Sequence, residues 1–203
     1  MEVFVERNQE LLHHRIKNSL NTISSILGLQ INSLDSSIEK DPKEILKNSK
    51  RRIETIAMNH DSLCNNLEMG RVEFKQYVKD LTDMINDSYG RNISVEIDSH
   101  NIFLSMDMMF FVGLIVGELF TNSIKYAFKN DMSSDQVIIS FSKDNNRFLF
   151  VYHEYCDKKI DIKKILESQA LGLRLVKLIV KQLDGTFEVA QDNGLIFTIE
   201  FHI

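Results

Sequence analysis

The sequence predicts an α+β protein: an N-terminal antiparallel helical hairpin over residues 1–70, then a sandwich of one helical layer on one sheet over residues 71–203. Three observations predict it. Leu12, Ile16, Leu20, Ile23, Leu27, Ile31 and Leu34 recur at helical spacing, the stripe of a helix buried along one side. A second helical pattern starts directly after Asp41-Pro42, so the two helices run antiparallel through a short connection. Past Gly70 the period changes, and helical stretches alternate with short strand-like runs bounded by Asn, Asp and Gly.

Taken in order, the first helix is expected over residues 4–36 and the second over 43–68. Asp41 suits the N-cap of the second helix and Pro42 its first position, with Ile45, Ile53, Ile56, Leu63 and Leu67 on the apolar side. Each stripe of a lone hairpin needs more than one neighbour, so a homodimer is expected, two copies closing a four-helix bundle. Residues 73–88 read as a helix with Phe74, Tyr77, Val78, Leu81 and Ile85 inward. Strands follow at 92–97 and 102–104, then a helix at 106–128. Strands at 137–141 and 148–152 are joined through Asp144-Asn145-Asn146, a hairpin signal. Ile160, Ile162, Ile165 and Leu166 suggest a short helix, and 171–183 a longer one. Strands at 186–190 and 195–201 close the chain around a turn at Asp192-Asn193-Gly194.

Composition narrows the class. Hydrophobic residues make up 43% of the 203, and charged residues 26%, the balance of a globular protein. A net charge of −5 gives no general reason to expect a nucleic-acid partner. Cys64 and Cys156 are far apart and not at metal-ligand spacing, which fits reduced thiols. No stretch approaches the ~20 apolar residues of a membrane span, since the longest run, 106–116, contains Asp107. The N-terminus lacks the basic and apolar regions of a signal peptide. A soluble cytoplasmic protein with no membrane partner is expected.

Three segments carry chemistry. In the first, His14 and Asn18 sit one turn apart on a strip away from the apolar stripe, so a rigid helix offers an imidazole to a partner. A plain surface histidine gives the same pattern. In the second, Glu118, Asn122 and Lys125 follow at spacings of four and three, which gathers a carboxylate, an amide and an ammonium on one helix face. That trio suits a nucleotide polyphosphate: the amide oxygen can meet Mg²⁺, the ammonium neutralises phosphate and the carboxylate orients water. In the third, Gly172 opens a helix and permits close backbone approach where a helix N-terminus can receive phosphate.

Together and in this order, the segments resemble the core of histidine kinases, in the subset whose phospho-acceptor lies in a His-Arg-x-Lys-Asn context. The resemblance runs from about residue 8 to the C-terminus. It rests on His14-Arg15-Ile16-Lys17-Asn18, on the box Glu118-Leu119-Phe120-Thr121-Asn122-Ser123-Ile124-Lys125-Tyr126-Ala127-Phe128, and on Leu171-Gly172-Leu173-Arg174-Leu175-Val176 continuing to Asp184-Gly185. It implies a dimeric acceptor bundle followed by a Bergerat-type ATPase-like sandwich of the GHKL kind. It also implies that His14 is phosphorylated, with His13 as its competitor, and that a response-regulator receiver domain is the partner. Arg15 would help hold phosphate charge and Asn18 would orient a phosphoryl oxygen or a water. Glu118, Asn122, Lys125 and Gly172 would serve ATP, with Mg²⁺ on Asn122.

The sequence departs from the family at one place. The family carries Asp-x-Gly at a strand end, where the aspartate recognises the adenine amino group. Here the strand at 148–152 runs into His153-Glu154-Tyr155, and Tyr155 is expected to crowd the adenine space. The lid segment, 156–169, holds no glycine, and the chain starts at the acceptor helix with no sensor domain expected ahead of it. Three readings follow. The first is a phosphorelay phosphotransferase that passes phosphate between response-regulator aspartates through His14 without relying on ATP, which leaves open whether ATP and Mg²⁺ or neither is bound. The second is an ATP-dependent autokinase, and the third a non-catalytic dimeric adaptor for a receiver domain.

Overall fold

The structure, a computed structural model, describes residue 50 and residues 71–128, 135–156, 162–166 and 171–202. The chain divides into two compact units, Met1–Ile56 and Ala57–Ile203. Of the first only Lys50, helical and exposed, is described, so the expected hairpin and its bundle lie outside the described residues. The second unit is α+β, as expected.

Its elements run β1 (Arg71–Glu73), α1 (Phe74–Tyr89), β2 (Ser94–Asp98), β3 (Phe103–Ser105), α2 (Met106–Asn122) with a π-helical turn (Ser123–Ala127), β4 (Gln136–Asp144), β5 (Arg147–Tyr155), α3 (Ile162–Leu166), α4 (Leu171–Gln182), β6 (Thr186–Gln191) and β7 (Gly194–His202). A five-stranded sheet has the order β2-β4-β5-β7-β6. The β2–β4 pair is parallel and the other three are antiparallel. The short β1, which helical periodicity gives no sign of, pairs with β3.

Period-two burial explains the sheet. Val137, Ile139 and Phe141 on β4, Phe148, Phe150 and Tyr152 on β5, and Leu195, Phe197, Ile199 and Phe201 on β7 are all buried. Opposite them α1 turns in Phe74, Tyr77, Val78, Leu81 and Ile85, the residues its sequence period predicts. An aromatic cluster joins the layers: Phe74 stacks on Phe141 at 4.6 Å, and Phe148 on Phe201 at 5.3 Å. The Asn145-Asn146 and Asp192-Asn193 turns are the expected hairpins, with Asn145 and Asn193 at positive φ.

The helix α2 starts at Ser105, whose hydroxyl accepts from the Met108 amide, and it packs against both α1 and α4. By length and composition alone the run Met106–Ala127 is apolar enough to cross a membrane, which corrects the expectation that no stretch approaches a span. It is a core helix, with 67% of its apolar window buried within the fold. Two other differences matter for the site. The helix expected to continue to residue 128 widens into a π turn after Asn122, and β5 continues three residues past Tyr152 because β4 and β7 pair with it as far as Tyr155.

Candidate functional site

Glu118 and Asn122 occupy successive turns of α2, on the side that meets the start of α4. A β-carbon placed on Gly172 would fall 3.5 Å from the Asn122 side-chain nitrogen and into the Glu118 carboxylate. Only glycine lets the two helices approach this closely. The structure therefore brings Gly172 against Glu118 and Asn122, the two residues that their spacing places on one helix face. Glu118 is buried and Asn122 half-buried. Lys125 stands apart in one respect. It lies in the π turn, where Phe128 N–H bonds the Ser123 carbonyl at 2.9 Å, so α-helical spacing does not fix its direction. The one-face expectation holds for Glu118 and Asn122 but is not what positions Lys125.

One residue of the site escaped the sequence reading. On β5 the buried side chains alternate through Phe148, Phe150 and Tyr152 to Glu154, only 4% exposed. This carboxylate accepts a hydrogen bond from Ser123, the residue after Asn122. Ser123 also lies 2.8 Å from the Tyr152 hydroxyl and 3.1 Å from the Leu119 carbonyl. Its single proton goes best to the carboxylate, which leaves the Tyr152 phenol donating to Ser123. The signal was present in the sequence: Glu154 continues the strand's inward parity. Tyr155 has the opposite parity and stacks on His153 at 3.9 Å, while His153 Nε2 lies 2.8 Å from the Asp192 carbonyl. By that parity Tyr155 points away from the helical layer. Glu154 is thus the buried carboxylate at the end of β5, next to the helix that carries Glu118 and Asn122.

Burial pushes the Tyr152 phenol well above its ordinary 10.0, and the Glu154 charge adds to this. A raised folded value makes the stability from Tyr152 whole below the unfolded value and lost as the pH climbs through the folded one. Thermal denaturation of the wild type and Tyr152→Phe should therefore show the wild type losing ground only above about pH 10.

Among the described residues no group of three or more His, Cys, Asp or Glu side chains could hold a metal ion unaided. A cation at Asn122 would arrive with phosphates, as Mg²⁺ commonly does. His14, Arg15 and Asn18 lie outside the described residues.

Comparison with known proteins agrees with this geometry. A family model described as histidine kinase matches residues 12–89, and one described as GHKL domain matches residues 106–203. The sensor histidine kinase PdtaS of Mycolicibacterium smegmatis is 28% identical over 180 residues, covering 86% of this chain and 35% of that protein. PdtaS of Mycobacterium tuberculosis is 26% identical over 191 residues, covering 90% and 37%. The chain thus spans about a third of the length of these curated relatives. In fold it is similar to the blue-light activated histidine kinase of Erythrobacter litoralis EL346, with a TM-score of 0.71 at 17% identity over 93% of this chain and 62% of that one. A segment matching a histidine kinase model followed by one matching a GHKL domain, together covering most of the chain, identifies it as a histidine kinase core.

Proposed function

We propose that this core is an ATP-dependent autokinase: His14 takes the γ-phosphoryl group of ATP and passes it to an aspartate of a receiver domain. The observation that carries this reading is the Gly172 cradle against Glu118 and Asn122. A relay indifferent to ATP has no use for it. Glu154 strengthens the reading, since a buried carboxylate follows Asn122 at hydrogen-bonding range of the next residue, on the wall where a base with an exocyclic amine would need an acceptor.

In this reading a neutral imidazole nitrogen of His14 attacks the γ-phosphorus. A nitrogen–phosphorus bond forms, the bond to the ADP oxygen breaks, and the other ring nitrogen gives up its proton to solvent. The receiver aspartate later displaces the imidazole. Asn122 would hold Mg²⁺, which neutralises the developing phosphate charge, and Glu118 would orient its water. Arg15 would steady phosphate charge, and Asn18 a phosphoryl oxygen. The acceptor helices would pair with a second copy.

The relay remains a second reading because no Asp-x-Gly closes β5, which runs through His153-Glu154-Tyr155 instead. Incubating the purified chain with γ-labelled ATP and Mg²⁺ separates the two. Acid-labile label on the protein is the expected result. No label from ATP, together with label gained from a phosphorylated receiver domain, would reverse the order.

A further inference from the structure

The π turn Ser123–Ala127 is anchored at both ends. At the start, Ser123 is 1% exposed and bonded to Glu154 and Tyr152 on β5. At the finish, Phe128 is 2% exposed, and its carbonyl accepts a hydrogen bond of 2.6 Å from the Arg91 guanidinium, which reaches across from the connection after α1. The backbone around Arg91 is fixed in turn, since its amide bonds the Asn86 carbonyl at 2.9 Å. The Asn86 side chain also brackets Ile93 through both of that residue's backbone groups. Between the anchors Ile124 is buried, Lys125 is half-buried and Tyr126 is 60% exposed. An α-helix advances about 100° per residue and the wider turn advances less. Lys125 is thereby swung around the axis from where a continued α2 would put it.

We infer that Arg91 is a positioning residue: by holding the Phe128 carbonyl it fixes the π turn and aims the Lys125 ammonium at the outer phosphates of the nucleotide. The cation at a helical C-terminus also meets the negative end of the backbone dipole, so the contact is charge-assisted. Nothing about the Arg91 side chain suggests this in the sequence, because it lies 34 residues before Lys125 and outside every motif. The inference rests on the ATP reading but makes a separate claim, that the aim of one lysine depends on a contact remote from the nucleotide.

The test uses the ratio of affinities for ATP and AMP, measured by calorimetry with Mg²⁺ on the full chain. Base and ribose are common to both ligands, so contacts to them cancel and the ratio reports the outer phosphates. Lys125→Met should lower the ratio about tenfold, the lower range for a charge-assisted hydrogen bond. Arg91→Met should lower it comparably, and the double variant should fall no further than either single one. Ser123→Ala, which frees the other anchor, should move the ratio in the same direction and supplies a second route if Arg91→Met does not fold. A ratio unchanged in Arg91→Met and Ser123→Ala while the wild type still prefers ATP overturns the inference and leaves the ATP reading intact. Single effects that multiply in the double variant also overturn it. A wild type that binds neither nucleotide overturns the ATP reading itself, and this inference with it.

Discussion

His14→Ala should abolish acid-labile label, whether the phosphate comes from ATP or from a phosphorylated receiver, with a loss of at least about a hundredfold. Alanine offers no nucleophile, and neither Arg15 nor Asn18 can accept a stable phosphoryl group. His13→Ala is the informative companion. On the helix the sequence predicts there, residue 13 would lie about 100° around from residue 14, so an acceptor site built for one imidazole would not be served by the other. Label should survive His13→Ala at near wild-type level. If the two variants trade places, the acceptor is His13 and the motif alignment is off by one residue. If both keep their label, no helix-borne histidine in this segment is the acceptor.

Gly194→Ala should cost about 3 kcal/mol or more of folding stability and disable nucleotide binding with it. Gly194 opens β7 at φ +139, a backbone region that side-chain-bearing residues rarely adopt. A β-carbon there would lie 2.9 Å from the Glu154 carbonyl carbon, 3.0 Å from the Cys156 amide nitrogen, and nearer still to the Glu154 carbonyl oxygen. These are backbone atoms, so no rotamer change relieves the clash. The β5 and β7 ends must part, and Glu154 moves with them. In a domain of this size each kcal/mol shifts Tm by roughly 2–4 °C, so the melting point should fall by about 6–12 °C. A variant that melts like the wild type would mean that the strand ends are looser than the pairing of Tyr155 with Gly194 implies.

How much of this was legible beforehand depends on the kind of signal. The inward face of α1 follows from the spacing of Phe74, Tyr77, Val78, Leu81 and Ile85, because an amphipathic period is a direct image of burial. The Glu118–Asn122–Gly172 constellation is legible as a carboxylate and an amide one helical turn apart plus a helix-opening glycine. Glu154 is legible in principle through strand parity, but a carboxylate on the inward face of a strand breaks the apolar alternation that marks burial. The π turn was not legible. Apolar spacing through Ile124 and Phe128 suits an α-helix too, and what decides between them are tertiary contacts from Arg91 and β5. The β1 strand was lost for a similar reason, since three residues carry no period.

The strand β5 has two dissimilar ends. Phe148 and Phe150 are locked in aromatic packing with Phe141, and Phe148 with Phe201 as well. Glu154 and Tyr155, by contrast, adjoin a glycine strand start and a hydroxyl network. Amide protons near the aromatic end should exchange with solvent deuterium only when the whole domain unfolds, whereas those near Tyr155 should exchange through a smaller local opening. Exchange graded in this way would make one strand a fastener of unequal strength, tied into the global core at its aromatic end and held by fewer buried contacts at the other.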